Sequence, residues 1–278
     1  MNARSLCLVI FDASEARWLV PRASELAAGL DAHLTAIHPF TPILFANAVG
    51  SEPMLFSSMI EWEETESARI RALLEETLRR DGIQGEYRAQ AGLHGTDAFL
   101  LAGGRGADLV IVGTNGTEAR SPDDRVTVHR MIRDLGRPVL VLPEEAGGLR
   151  GPASRIVIGW TETREAARAA HDARLLAAPG AEIELVSVLR RAEEAAPGIS
   201  SREDLAAALD RHGFRVTLSD RSGTADDRAE TLLRAAREAG ADLLVTGAFG
   251  HSQVYDMLIG AVTRDLLENA KLPVLLSR

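Results

Sequence analysis

The stretch GADLVIVG at residues 106–113 returns as GADLLVTG at residues 240–247. In both copies a glycine precedes a continuous apolar run and a second glycine ends it. Each copy is followed by a short apolar segment that begins with proline, PVLVL at 138–142 and PVLLS at 273–277. A match that repeats in the same order indicates two copies of one structural unit within the chain.

The two copies also begin alike and are joined by a linker. Residues 6–11 and 156–160 are apolar runs of the length of a strand. The glycine and proline content of residues 143–152 is typical of a connecting segment. We therefore place the boundary near Gly148 and predict domains at residues 1–147 and 153–278.

Apolar runs alternate with amphipathic segments throughout the second half. Short continuous apolar strands suit a sheet that helices cover on both faces, and strand–helix alternation requires parallel pairing through right-handed crossovers. We therefore predict an α/β fold in which each half is a doubly wound domain. Ligands of such sheets bind beyond the carboxyl ends of the strands. The predicted strands are 155–160, 182–188, 214–219, 241–247 and 273–277, and the predicted helices are 163–177, 201–212, 225–239 and 253–269.

Composition argues against several classes of partner. The 278 residues carry a formal charge of -9, and neither half is basic, so we expect no nucleic acid partner. No apolar run approaches the ~18 residues that would span a bilayer, and residues 6–11 are too short for the core of a signal peptide. We therefore expect a cytoplasmic protein without a membrane partner. The single cysteine, Cys7, lies in an apolar run and is expected in the core.

Motifs of common enzymes are missing from the sequence. No Gly-x-Gly-x-x-Gly turn follows the first strand of either half, and no Gly-x-Ser-x-Gly elbow occurs. Lys271 is the only lysine and lies far from any glycine-rich loop. No two histidines have the spacing of a helical metal site, so we predict no metal centre. Asp12 is an acid at a strand end without a matched partner, which makes at most slow nucleotide hydrolysis compatible with the sequence.

Three glycines follow the fourth strand of the second half. Gly247 and Gly250 are separated by two residues, and Gly260 follows after nine more. Glycines after a strand allow the backbone to approach a ligand closely, and the amides at the start of the next helix suit a phosphate. Gly260 lies within the predicted helix 253–269, where glycine costs ~1 kcal/mol relative to alanine. Either a ligand or a closely packed helix would explain it.

With this spacing, the duplication and the Pro-Val terminal strands, the chain resembles the universal stress protein family. The resemblance implies the strand order 3-2-1-4-5 in each domain. It also implies that the terminal strands of the two domains pair, so that the chain forms an internal pseudo-dimer, and two chains could associate further as a homodimer. Nucleotide-binding members imply ATP or another adenine nucleotide as the ligand of the second domain. The residues implied to contact it are Thr161, Val188, Gly247, Gly250, His251, Ser252, Gly260, Ala261 and Val262.

The second half departs from the family pattern at two of these positions. Ala261 stands where a hydroxyl of the family meets the terminal phosphate. Thr161, which we align with Asp12 of the first half, stands where the family has an aspartate. The resemblance therefore implies adenine near Val188, ribose near Thr161 and weak binding of a triphosphate. Ser252 and Thr263 are close enough in sequence to supply other hydroxyls.

The first half resembles the family's site only in part, and we expect it to be unable to hold a triphosphate. Val126 replaces the glycine before the hydroxyl position, and the segment RSPDD at residues 120–124 places proline and two carboxylates where a helix should face phosphate. Carboxylates there repel an anion. The retained residues of this degenerate site are Asp12, Gly113, Gly116 and Thr127.

The first half also contains about fifteen additional residues between its second strand and second helix, which we predict as a loop at residues 43–58. This insert is apolar and has three open interpretations: it covers a cleft, it contacts a protein partner, or it packs on its own domain.

We carry three hypotheses for the function. In the first, the chain is a stress-response regulatory protein that binds an adenine nucleotide in its second domain and signals to an unidentified protein partner. In the second, it is a scaffold that needs no ligand. In the third, it is an enzyme that acts on a nucleotide-like substrate.

Overall fold

In the computed structural model, the placed residues are 2–40, 53–91, 97–114, 120–145, 149–189, 201–224, 227–248 and 260–278. The following elements fall within them. The first domain comprises β1 (Ser5–Val9), α1 (Ala13–Leu30), β2 (His33–Phe40), α2 (Pro53–Asp81), β3 (Gly85–Ala91), α3 (Asp97–Arg105), β4 (Leu109–Gly113), α4 (Pro122–Asp134) and β5 (Val139–Leu142). The second comprises β6 (Ala153–Trp160), α5 (Arg164–Asp172), a 3₁₀ turn (Ala173–Leu175), β7 (Ala177–Leu189), α6 (Ser201–Arg211), β8 (Arg215–Ser222), α7 (Arg228–Ala239), β9 (Leu243–Gly247), α8 (Ala261–Asn269) and β10 (Val274–Ser277).

All ten strands form one sheet in the order β3-β2-β1-β4-β5-β10-β9-β6-β7-β8. Within each domain the strands are parallel and follow the order 3-2-1-4-5, which confirms the expected doubly wound α/β fold. The domains meet where β5 and β10 pair antiparallel, with Leu140 opposite Leu275. The expected pairing of the terminal strands is therefore confirmed, and it removes what would be an unpaired edge in each domain.

The strands are apolar because helices cover both faces of the sheet. β4 and β5 are buried along their whole length. One cluster of buried side chains joins Leu6 of the first domain to Ile156 of the second, and a second cluster joins Val110 to Val157. Since both clusters contain residues of both domains, the hydrophobic core is continuous across the junction.

Several predicted boundaries were wrong. The predicted loop at 43–58 is too long, because α2 already begins at Pro53, and proline is favourable at the start of a helix; residues 41–52 lie outside the described part. The helix predicted at 163–177 ends at Asp172 and is followed by the 3₁₀ turn. The strand predicted at 182–188 is longer, because β7 begins at Ala177 and carries a register shift opposite Ala153 and Arg155.

Within the described segments, no helix combines the length and the apolar character that crossing a membrane requires. Cys7 lies in the core as expected, with 1% of its surface exposed. Burial raises the pKa of its thiol to about 12, so it stays protonated and unreactive at neutral pH.

Candidate functional site

A pocket of about 230 Å³ opens at the carboxyl ends of the second domain's strands. β6, β7 and β9 form its floor, and the first turns of α5, α7 and α8 form its walls. This is the position at which open parallel sheets bind ligands. The described residues that line it are Gly159, Trp160, Thr161, Thr163, Glu165, Val186, Val188, Arg228, Leu232, Thr246, Gly247, Gly260, Ala261, Val262 and Thr263.

The lining has an apolar part and a polar part. Val186, Val188 and Leu232 offer an apolar surface of the kind on which a flat ring packs. Thr161 and Thr163 bring two hydroxyl groups that lie 3.3 Å apart. The pocket therefore suits a ligand with an apolar ring and a hydrogen-bonding remainder.

The start of α8 forms one wall of the pocket and has no side-chain cap. Gly260 is the N-cap residue, with φ -62° and ψ 146°, and no side chain of a described residue caps the first amides. The first turn contains no acidic residue. The first amides of a helix have no partner within the helix and carry a partial positive charge. This helix start is therefore suited to an anion.

The predicted helix 253–269 does not run through Gly260, because α8 begins at Ala261 and Gly260 is its N-cap residue. Residues 253–259 lie outside the described part of the chain. A Cβ atom built on Gly260 meets no described atom within 4 Å. Neither a positive φ nor a closely packed described helix requires glycine at this position. Glycine here leaves the backbone exposed to the pocket.

Gly247 has a different role. A Cβ atom at Gly247 would lie 2.6 Å from the backbone nitrogen of Ala166 and 2.6 Å from the carbonyl carbon of Glu165. The glycine is therefore required for β9 to pack against the first turn of α5. The packing interpretation of this glycine applies whether or not a ligand binds.

Thr161 lines the pocket, but it is not the counterpart of Asp12. In β1, Leu6 pairs with Leu109; in β6, Ile156 pairs with Leu243. Continuing this register places Thr161 at the position of Phe11, one residue before Asp12. As the N-cap residue, Asp12 of α1 corresponds to Thr163 of α5, whose hydroxyl accepts from the amide of Ala166. The alignment of Asp12 with Thr161 was wrong because the second half has one more residue between strand and helix.

The structure brings most of the predicted site residues together. Thr161, Val188, Gly247, Gly260, Ala261 and Val262 all line the pocket. Thr263 lines it too and is buried, whereas Gly250, His251 and Ser252 lie outside the described residues. Sequence reasoning missed Thr163, Glu165 and Arg228. Thr163 could have been found from its position as N-cap, but nothing local to the sequence marks Arg228, which reaches the pocket from the start of α7.

Glu165 brings a carboxylate to the pocket, with 7% of its side chain exposed. Burial acts to raise the pKa of Glu165, but the hydrogen bond and positive charge of Arg164 prevail and lower it. The carboxylate is therefore ionised and paired at neutral pH. Arg228 lies on another wall and is the only Arg or Lys among the described residues that line the pocket.

The corresponding crevice of the first domain is filled by side chains. Arg120 forms a buried ion pair with Glu15, and its guanidinium lies 4.7 Å from the ring centroid of Phe11. Glu15 also accepts a hydrogen bond from the Phe11 amide at 2.9 Å. A Cβ atom on Gly113 would lie 2.9 Å from the ring of Trp18. These buried side chains therefore lie beyond the end of β4, at the position that corresponds to the pocket of the second domain.

The helix start is also unlike that of α8. α4 begins at Pro122, its N-cap Ser121 accepts from the amide of Asp124 at 3.1 Å, and Asp123 and Asp124 lie in the first turn. Thr127, predicted at the hydroxyl position, is buried in the second turn. Its amide is therefore engaged within the helix.

Asp12 has a structural role as well. Its carboxylate caps α1 and accepts from the amides of Ser14 at 2.7 Å and Glu15 at 2.9 Å. Gly116, the remaining predicted residue of this degenerate site, lies outside the described part of the chain. Among the residues that the structure describes, no three His, Cys, Asp or Glu side chains cluster in a way that could hold a metal ion.

Comparison with known proteins agrees with this architecture. Residues 153–278 match the model of the universal stress protein family. The chain is 23% identical over 245 residues to Universal stress protein Slr1230 of Synechocystis sp. (strain ATCC 27184 / PCC 6803 / Kazusa), which covers 83% of this chain and 80% of that protein.

Two solved structures show the same fold over nearly the whole chain. A universal stress protein from Archaeoglobus fulgidus DSM 4304 has a TM-score of 0.71 and 16% identity, covering 99% of this chain and 96% of its own. A putative universal stress protein from Pseudomonas aeruginosa UCBPP-PA14 has a TM-score of 0.59 and 18% identity, covering 99% and 93%. The family match thus covers the second domain, residues 153–278, and the fold of these universal stress proteins extends over both domains.

Proposed function

We propose that this chain is a universal stress protein that binds an adenine nucleotide in the pocket of its second domain and acts in the cytoplasm as a regulatory protein. Its output is a contact with a protein partner or with a second copy of the chain, and catalysis is not part of the proposal. The observation that carries the proposal is the open start of α8, which faces a pocket with an apolar floor.

The contrast between the two domains supports this assignment. Where the first domain has a capped and acidic helix start and a buried Arg120, the second has an uncapped start at Gly260 and an open pocket. One fold thus occurs with its ligand position closed and with it open. Selection for stability alone favours the closed form, because a cap and a filled crevice both stabilise a domain.

In this proposal each wall of the pocket holds one part of the nucleotide. The base packs on Val186 and Val188, the ribose hydroxyls meet Thr161 and Thr163, and the phosphates lie against the amides of α8. The choice of adenine rests on the family resemblance. Because Ala261 has no hydroxyl for a terminal phosphate, we expect AMP and ADP to bind at least as tightly as ATP.

Isothermal titration of the purified chain with AMP, ADP and ATP tests the proposal. We expect saturable binding with one site per chain, and loss of binding in Gly260→Val, whose side chain would enter the pocket. Gly106→Val is a matched control, because a Cβ atom on Gly106 also meets no described atom within 4 Å and lies away from the pocket. This variant should bind as the wild type does.

The opposite outcome would favour the scaffold. If millimolar nucleotide gives no saturable heat and native mass spectrometry of the freshly purified protein shows no bound small molecule, the proposal is wrong. Neither domain would then bind a nucleotide, and the second would resemble the first in this respect. Nucleotide turnover that Asp12→Ala abolishes would instead favour the enzyme.

A further inference from the structure

A second cavity lies between the two domains, remote from the pocket. Its volume is about 640 Å³. The first domain contributes the residues that precede β4 and β5, and the second contributes the end of α5, the 3₁₀ turn and the start of β7. We call it the basic cleft, lined by Asn2, Asp108, Arg137, Pro138, Arg168, His171, Asp172, Arg174, Leu175, Ala177, Pro179, His212 and Phe214.

The charge of the basic cleft is opposite to that of the protein. The chain carries a formal charge of -9, yet three arginines line this cavity against two carboxylates, together with two histidines. The two carboxylates differ in their partners. Asp108 accepts from the backbone amides of Arg4 at 2.9 Å and Ser5 at 3.1 Å. Oδ2 of Asp172 lies 3.6 Å from the Nε of Arg168 in an ion pair, but it accepts no hydrogen bond from a described residue.

Two of the arginines keep hydrogen-bond donors available. Arg137 donates from Nε to the carbonyl of Arg105 at 3.3 Å, and within the described residues its two terminal nitrogens have no partner. Arg174 donates from Nε to the carbonyl of His171 and from Nη1 to His212 at 2.7 Å, which leaves Nη2. No described carboxylate forms a salt bridge with Arg137 or Arg174.

The contact between Arg174 and His212 also determines the tautomer of the histidine. Since a guanidinium can only donate, Nε2 of His212 is the acceptor and its proton is on Nδ1. The geometry holds Arg174 in place from two sides. A guanidinium held in place loses little entropy when it binds an oxyanion.

We propose that the basic cleft is an anion site that binds a diphosphate group and joins the two domains through it. Arg137 of the first domain and Arg174 of the second are its principal contacts. A cavity of this volume accommodates two linked phosphates, and planar guanidinium groups bind phosphate oxygens through paired hydrogen bonds. Arg168 already connects the domains by donating to the carbonyl of Gly136 at 2.7 Å.

The basic cleft is separate from the pocket of the second domain. No described residue lines both cavities. α5 connects them, because Thr163 and Glu165 at its start line the pocket and His171 and Asp172 at its end line the cleft. The site does not depend on the proposed nucleotide binding.

Isothermal titration with sodium pyrophosphate at constant ionic strength tests the proposal. We expect saturable binding with one site per chain in the wild type. Arg137→Gln and Arg174→Gln should each weaken it about tenfold or more, since each removes a charged hydrogen bond. Arg79→Gln is the matched control, because Arg79 is an exposed arginine in α2 that does not line the cleft. It should leave the affinity unchanged.

Gly260→Val distinguishes binding in the pocket from binding in the cleft, because Gly260 lines only the pocket. This variant should bind pyrophosphate as the wild type does. Since this variant is expected to lose binding in the pocket, any ADP binding that remains, and that is weakened by adding Arg137→Gln, would identify a nucleotide as the source of the diphosphate. Binding of pyrophosphate without ADP would identify the free ion. The proposal is overturned if the wild type shows no saturable binding, if Arg79→Gln weakens binding as much as Arg137→Gln, or if Gly260→Val abolishes it.

Discussion

At the scale of single residues, the ion pair between Arg120 and Glu15 decides the state of the first domain's crevice. Both side chains are less than 10% exposed. Removing one partner of a buried pair leaves an uncompensated charge and costs about 3–5 kcal/mol, whereas replacing both by apolar groups often costs little. We therefore expect Arg120→Met to lower the free energy of unfolding by about that amount. The double variant Glu15→Leu with Arg120→Met should recover most of the loss, as chemical denaturation would show.

Arg120 also shows why the closed crevice was only partly predictable. The acids at 123–124 and the proline before them indicated a poor phosphate site. The sequence does not indicate that Arg120 turns inward, because its partners Glu15 and Phe11 lie more than a hundred residues away along the chain. Contacts between segments so far apart depend on the packing of the whole domain.

His38 makes the stability of the protein depend on pH. The ring is buried, and its Nδ1–H donates to the carbonyl of Ile10 at 2.7 Å. Burial lowers the pKa of His38, against the hydrogen bond to Ile10 and the nearby carboxylates of Asp12, Glu66 and Asp124, which act to raise it.

Since the pKa is lower in the folded state, the unfolded state binds the proton more tightly. Stability is therefore present above the ordinary histidine pKa of about 6.5 and is lost as pH falls below it. We expect His38→Asn, which keeps a donor near Nδ1 but does not titrate, to flatten this part of the curve of unfolding free energy against pH. Equal slopes for the two proteins between about pH 7 and 5 would contradict the assignment.

At the scale of elements, the end of the linker at Arg150 and Gly151 lies directly on α1. A Cβ atom on Gly29 would lie 2.2 Å from the carbonyl oxygen of Arg150 and 2.6 Å from Cα of Gly151. Glycine to alanine within a helix ordinarily stabilises by about 1 kcal/mol. Here we expect Gly29→Ala to destabilise, because the clash is with backbone that cannot rotate away.

Thermal unfolding of Gly29→Ala would show the sign of the effect. Gly103→Ala in α3 is the control, since its Cβ atom would meet only side-chain methyl groups of Ile37, the nearest at 3.2 Å. That variant should be neutral or slightly stabilised. A rise in melting temperature for Gly29→Ala would mean that the linker does not pack on α1.

The start of α8, where we propose that phosphates bind, would combine a cost in stability with a gain in binding. Aspartate is a better N-cap than glycine by a few tenths of a kcal/mol, and its charge adds about 0.3–1 kcal/mol at a helix start. We expect Gly260→Asp to raise the melting temperature of the ligand-free protein and to abolish nucleotide binding, because its carboxylate would occupy the phosphate position. Gly260→Asn, which caps without a charge, should bind more weakly than the wild type but better than Gly260→Asp.

The elements themselves were largely predictable, and the errors have physical causes. The alternation of apolar and amphipathic segments predicted the five parallel strands of the second domain, and the family resemblance implied their order in the sheet. The predicted helix 253–269 ran through Gly260 because hydrophobic periodicity continues on both sides of it. The alignment of Asp12 with Thr161 failed by one residue because sequence similarity near a strand end does not report pairing register, which only the neighbouring strand defines.

At the scale of the whole molecule, the strands of both domains form one sheet, and the two halves differ at the carboxyl ends of their strands. The first domain closes its crevice with its own side chains, and the second leaves it open. Joining β5 to β10 within one chain places a closed and an open copy side by side. A homodimer of identical domains cannot achieve this asymmetry, so the duplication allows one half to specialise in stability.

Because both core clusters span the junction, we expect the two domains to unfold as one unit. Leu34→Ala tests this from a distance: Leu34 is fully buried in β2, three strands from the junction, and the change should cost about 2–5 kcal/mol. Hydrogen exchange at increasing denaturant should then show β6 and β9 of the second domain losing protection at the same lowered midpoint as β1 and β4. If only the strands of the first domain shift, the domains are independent and β5 and β10 merely touch. A common shift would mean that a ligand in either cavity stabilises the whole chain, because any ligand that binds only the folded state draws the single unfolding equilibrium toward it.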